Sequence, residues 1–329
     1  MKKYHIYGMG NALVDMEIEV SNEFITETKI EKGLMILVDE NRQAEVLKKV
    51  GSHHKRACGG SAANTIIGAR QLGARTFYSC KVANDETGEF YFSDLVKEGV
   101  QTNLHGEREA GVTGKCMVFV TPDAERSMET YLGITATFSE EQLEWDELKD
   151  SEYLYIEGYL VTGDSAKNAA IKARRFARDN GVKVAFTFSD PGIVAHFKDG
   201  LAEIMGDKID LLFCNEGEAM AFTGKEDINE AMTELAKVSH QVAITQGPRG
   251  ALLWDGNKEI DIVTKKVEAV DTNGAGDLFA GAFMFALTHG HSFSEAGKLA
   301  CACSSELVTQ FGPRLKAEQV KEIYKSIIE

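Results

Sequence analysis

Short apolar runs alternate with longer amphipathic stretches along most of this chain, and that rhythm restricts the fold more than any other feature. Strands are expected at Tyr4 to Gly8, Thr76 to Val82, Tyr153 to Ile156, Val182 to Phe188, Ile209 to Cys214 and Val242 to Thr245. Helices are expected at Ser61 to Leu72, Asp85 to Glu98, Ser165 to Asp179 and Ile228 to Val238, and over most of the chain from Gly274 onward. Strands separated by helices build an α/β fold with a mainly parallel, doubly wound sheet flanked by helices.

Two places break the rhythm. Leu13 to Val20 and Gly33 to Val38 read as strands with no helix between them. Cys116 to Thr121 and Ser127 to Leu132 read as two more, joined at Pro122-Asp123, where proline presets φ and aspartate caps the turn. Strands from about 13–38 and 113–133 therefore suggest a small β-sheet inserted into one 1–329 domain, placed as a lid. An edge extension of the main sheet is the alternative.

Composition narrows the function. Of 329 residues, 51 are acidic and 36 basic, a net charge of -15. That balance argues against nucleic-acid and membrane partners, which require clustered positive charge. It leaves room for an anionic ligand held by one arginine and a helix N-terminus. The 6 cysteines form no C-x-x-C pair, so buried free thiols in a reducing compartment are expected. No apolar run reaches membrane-spanning length and Met1 to His5 opens no signal peptide, so the expected location is cytoplasmic. His53-His54 read as part of a solvated basic loop.

Three glycine-bearing motifs carry the chemistry. Asp271-Thr272-Asn273-Gly274-Ala275-Gly276-Asp277 precedes the apolar helix that begins Leu278-Phe279. Glycines let the backbone approach a ligand, and free N–H groups at a helix start bind anions. A carboxylate at Asp277 can take a proton from a hydroxyl while those N–H groups stabilise a transferring phosphoryl group. A plain helix cap would need one aspartate, not two framing Gly-Ala-Gly. Gly59-Gly60-Ser61-Ala62-Ala63-Asn64 again opens a helix, although such turns also occur in ordinary loops. Gly8-Met9-Gly10-Asn11-Ala12-Leu13-Val14-Asp15 lacks the third glycine of a dinucleotide fingerprint, and a turn with a capping aspartate would also account for it. There is no P-loop, since Gly114-Lys115 is followed by Cys116.

Together the motifs resemble the ribokinase-like (PfkB) carbohydrate kinase family over nearly the whole chain, and its adenosine-kinase-like branch most. Thr113-Gly114-Lys115-Cys116, Asp123 to Ser127 and Asn215-Glu216-Gly217-Glu218 fit the same pattern. The resemblance implies an ATP-dependent kinase that phosphorylates a hydroxymethyl group on a nucleoside. A sugar kinase acting on a free sugar is the alternative, and a non-catalytic ligand-binding relative a further one. It implies Asp277 as the base, Asn273, Gly274, Ala275 and Gly276 as the anion hole, and Arg126 as a lid arginine meeting phosphate. Asn11, Asp15, Gly60 and Asn64 would meet the ribose, and Leu13 and Leu37 would form apolar lining. Asn215 and Glu218 would hold Mg2+ through water, with Asn215, Thr245, Gly247, Gly250 and Asn273 near the nucleotide. Backbone carbonyls of Asp271 and Asn273 would hold K+. In Glu157-Gly158-Tyr159-Leu160-Val161, Leu160 is expected where the branch stacks an aromatic ring on the base, with Tyr159 facing away. The expected partner is a small-molecule nucleoside or sugar, with the chain a monomer or homodimer.

Overall fold

The computed structural model describes residues 2–50, 55–123 and 125–328. Ala124 and His53-His54 lie outside them. In chain order the strands are β1 (Tyr4–Met9), β2 (Leu13–Glu19), β3 (Met35–Leu37), β4 (Lys55–Gly59), β5 (Thr76–Ser79), β6 (Gln101–Thr102) and β7 (Thr113–Val120). There follow β8 (Arg126–Gly133), β9 (Ser151–Glu157), β10 (Lys183–Thr187), β11 (Ile209–Asn215), β12 (Ser239–Thr245), β13 (Ala251–Trp254) and β14 (Glu259–Ile262).

The large sheet runs β14-β13-β12-β11-β10-β9-β1-β5-β6 among the described residues. It is parallel from β12 through β6, and its last two pairings at the other edge are antiparallel. β1 is buried along its whole length, as a strand covered by helices on both faces must be. On one face the Ser61–Leu72 helix packs against Ala275–Thr288, and Phe213, Phe279 and Phe283 meet edge to face or stacked. The other face carries Asp164–Asp179 and Pro191–Met205 over Leu154, Ile156, Val184 and Phe186. Phe279 and Phe283 are therefore core.

The small sheet, β3-β8-β7-β2-β4, is separate from the large one rather than its edge. β4 is an unexpected member of it, because Lys-Arg-Ala-Cys-Gly has no strong β-pattern. A helix, Asn22–Thr28, does stand between β2 and β3, contrary to expectation. It is short and mostly polar, so it shows little periodicity, but Ser21 caps it through a bond from the Phe24 N–H (3.2 Å) and Ile25 anchors it under Phe119 and Ile18. All six cysteines are free and buried. Among the described residues no helix is long and apolar enough to cross a membrane.

Candidate active site

After β1 the chain builds β5 and β6 to one side and β9 to β12 to the other, so strand order reverses between β1 and β9. Such a switch point leaves a crevice beyond the carboxyl ends of the strands. A cavity of about 410 Å³ lies there, walled by the small sheet through Leu13, Leu37 and Arg126 and by strand ends through Glu157, Asn215 and Thr245. The loop after β1 is tied to the end of β9, because Glu157 Oε1 accepts from the Asn11 N–H (2.6 Å). Glu157 Oε2 accepts from the Ala62 N–H (2.8 Å) at the start of the Ser61 helix.

Asp277 sits in the first turn of Ala275–Thr288, where N–H groups have no intrahelical acceptor. Gly274 precedes it with φ 73°, and a Cβ there would come 2.5 Å from the Pro313 carbonyl oxygen, so the turn requires glycine. The carboxylate is gripped from the other glycine motif: Ser61 Oγ donates to Oδ1 (2.7 Å) and Asn64 Nδ2 donates to Oδ2 (3.1 Å). Burial pushes the Asp277 carboxyl above its ordinary value, and these two hydrogen bonds and Arg126 oppose the shift. Gly60 (φ 94°) lets the chain pass close to the Asn11 carbonyl, which a Cβ would meet at 2.2 Å.

Arg126, at the start of β8, reaches from the small sheet to the Asp271 loop. Its Nη1 donates to Asn273 Oδ1 (2.9 Å) and its Nε to Thr272 Oγ1 (3.3 Å), with Asp271 Oδ1 at 3.8 Å. Asp271 is fully buried and holds its loop by accepting from the N–H groups of Asn273 (2.8 Å) and Gly312 (3.0 Å). The Asn273 amide nitrogen is buried without a partner. An unspent donor beside a helix start and an arginine suits an anionic ligand.

Asp15 and Glu157 are buried carboxyls on the cavity wall, pushed up by burial to about 8 and about 7. In the unfolded chain both ionise near pH 4. Between those values the folded state binds more protons, so stability falls as pH rises from about 5 to 8. For Glu157→Gln the melting temperature is expected to fall less steeply across that window, a difference on the order of 3 kcal/mol for a shift of this size. Parallel slopes for variant and parent, followed by circular dichroism, would contradict it.

Asn215 and Glu218 lie at the end of β11 as a reciprocal capping box. The Asn215 N–H donates to Glu218 Oε2 (2.9 Å), the Glu218 N–H donates to Asn215 Oδ1 (2.9 Å), and burial lifts the Glu218 carboxyl to about 7. Asn11, Asp15, Gly60, Asn64, Asn273, Gly274, Ala275, Gly276 and Thr245 also border the cavity. Gly247 and Gly250 do not; Gly247 opens the turn Gly247–Arg249 and Gly250 follows it, outside the cavity wall.

Leu160 does not take the expected place on the cavity wall. It is fully buried in the core and does not line the cavity, whereas Tyr159 does. Strand alternation does not extend that far, because β9 ends at Glu157 and Gly158–Thr162 is a 3-10 turn. Leu13 and Leu37 do line the cavity, together with Met35, Val118, Met128 and Leu132.

The motifs did not reveal Glu157, Ser189 or Arg314. Glu157 had one signal, an acidic residue closing an apolar strand before glycine. Ser189 borders the cavity with φ 71°, rare for serine, and its Oγ accepts from the Gly158 N–H (2.9 Å), fixing the turn that carries Tyr159. Arg314 carried no local signal, since its partners lie far off in sequence.

The pfkB family of carbohydrate kinases matches residues 33–320. Among solved structures, the adenosine kinase from Sinorhizobium meliloti is 34% identical, with a TM-score of 0.91 over 97% of this chain and 99% of that one. A probable sugar kinase protein from Rhizobium etli CFN 42 is 32% identical, with a TM-score of 0.93 over 99% of both chains. The adenosine kinase of Saccharomyces cerevisiae is 28% identical across 95% of this chain and 97% of its own.

Proposed function

This chain belongs to the pfkB family of carbohydrate kinases and is a phosphotransferase with an alcohol acceptor, and from that premise we propose that its acceptor is the hydroxymethyl group of a nucleoside. The observation that carries the reading is the apolar pocket made by Leu13, Met35, Leu37, Val118, Met128 and Tyr159 beside the buried polar set around Asp277. A flat base gains from burial against such a surface, whereas a free sugar has no comparable apolar body. Tyr159 adds a ring, worth about 0.5–1.5 kcal/mol if it packs on the base.

In this reading Asp15, Gly60, Asn64 and Asn11 border the ribose, and Asp277 takes the proton of the attacking hydroxyl. N–H groups of the Gly274-Ala275-Gly276 turn, with Arg126, stabilise charge on the transferred phosphoryl group. ATP is the expected donor, lying toward Thr245 and Asn273. Asn215 and Glu218 offer oxygens that suit magnesium held through water, since both border the cavity and Glu218 is a buried carboxylate. Magnesium, when bound, neutralises phosphate charge. The Asp271 carboxylate is committed to the N–H groups of Asn273 and Gly312, so main-chain oxygens of that loop are what remain for potassium.

A thermal-shift screen of nucleosides and sugars, each with magnesium and a non-hydrolysable ATP analogue, tests the reading. A ligand of the native state raises the melting temperature by mass action. Nucleosides are expected to give the larger rises; a rise confined to free sugars would contradict the proposal.

A further inference from the structure

The guanidinium of Arg314 lies between the small sheet, the helix Glu86–Lys97 and the Ser61 helix. Its side chain is 13% exposed. Nη1 donates to Asp94 Oδ2 (2.8 Å), and Nη2 donates to the Cys58 carbonyl in β4. Asp94 Oδ2 also accepts from the Cys58 N–H (3.1 Å). These contacts fix the plane of the fork, since arginine presents its donors in a rigid array. The Nε–H donates to Asn64 Oδ1 (3.4 Å). On the far side of the same amide, Asn64 Nδ2 donates to Asp277 Oδ2 (3.1 Å).

An arginine N–H can only donate and an ionised carboxylate can only accept. Both neighbours therefore demand the same orientation of the Asn64 amide, oxygen toward Arg314 and nitrogen toward Asp277. Without Arg314 that orientation rests on the Asp277 carboxylate alone, and whenever the amide rotates its oxygen faces the carboxylate, acceptor against acceptor. We propose that Arg314 is a positioning residue for phosphoryl transfer, holding Asn64 as a donor to Asp277 and coupling that donor to strand β4 of the small sheet. The inference rests on Asp277 being the base. Arg314 acts through Asn64 and touches neither substrate nor phosphate in this account.

The test is a double-mutant cycle on kcat and KM with Arg314→Met, Asn64→Ala and the pair, alongside Arg314→Lys. Arg314→Met is expected to lower kcat about tenfold, the size typical of coupled neighbours, with KM for ATP within about twofold. In the Asn64→Ala background the same change is expected to add less than about twofold. Arg314→Lys keeps a cation for Asp94 but has no Nε–H, so its kcat should match that of Arg314→Met. If circular dichroism finds Arg314→Met unfolded, Arg314→Lys carries both comparisons. Equal losses in the two backgrounds, as a purely structural residue would give, overturn the inference; so does wild-type kcat in Arg314→Lys. A parent enzyme without turnover on any nucleoside or sugar overturns the kinase reading and this inference with it. Turnover by the parent with additive losses overturns the inference alone.

Discussion

Asp277→Asn is expected to lose about a hundred- to ten-thousand-fold in kcat, the usual contribution of a general base, while its circular dichroism stays that of the parent. The amide has nearly the same shape as the carboxylate, and Ser61 Oγ can still donate to its oxygen as it does to Asp277 Oδ1 at 2.7 Å. What the amide cannot do is accept a proton from the substrate hydroxyl. Burial already holds the Asp277 carboxyl above its ordinary value, which brings its basicity closer to that needed at neutral pH. Activity within about threefold of the parent would remove Asp277 from the role of base.

The second large effect is expected at Arg126. Arg126→Ala should lower kcat about a hundred- to a thousand-fold, as removal of a charge-stabilising donor does, with KM for the acceptor changed by less than about threefold. The side chain spans from β8 to Thr272 and Asn273, directly beside the helix start where phosphate charge would develop. Its guanidinium is engaged with Thr272 and Asn273 rather than with the apolar lining, so acceptor affinity is expected to depend on it little. A collapse of acceptor affinity at unchanged kcat would assign it to binding instead. Because it links the small sheet to the Asp271 loop, its removal also tests whether those parts act together.

How much of this could be read from the chain depended on how local the cause was. The Asp271 to Asp277 and Gly59 to Asn64 segments were legible because backbone approach demands glycine there, as Gly60 at φ 94° and Gly274 at φ 73° bear out. The central strands were legible because burial on both faces leaves continuous apolar runs. The β13–β14 hairpin carries one local signal, Asp255-Gly256 between its two strands, with Gly256 at φ 97°. Strand alternation would put Leu160 on the cavity wall, but β9 gives way to a 3-10 turn at Gly158, which turns Tyr159 there instead. Arg314 meets Asp94, Cys58 and Asn64 across 220 to 256 positions of sequence, and no local pattern encodes a contact of that range.

The measurement that bears most directly on the central claim is the specificity constant for adenosine, inosine, guanosine and cytidine against ribose and fructose, each followed by ADP release with ATP and magnesium. The account predicts that at least one nucleoside exceeds both sugars by about tenfold or more, because burying a whole base against Leu13, Leu37 and Tyr159 is worth at least that ratio. If either free sugar outperforms every nucleoside, the acceptor is a sugar and the nucleoside reading is wrong.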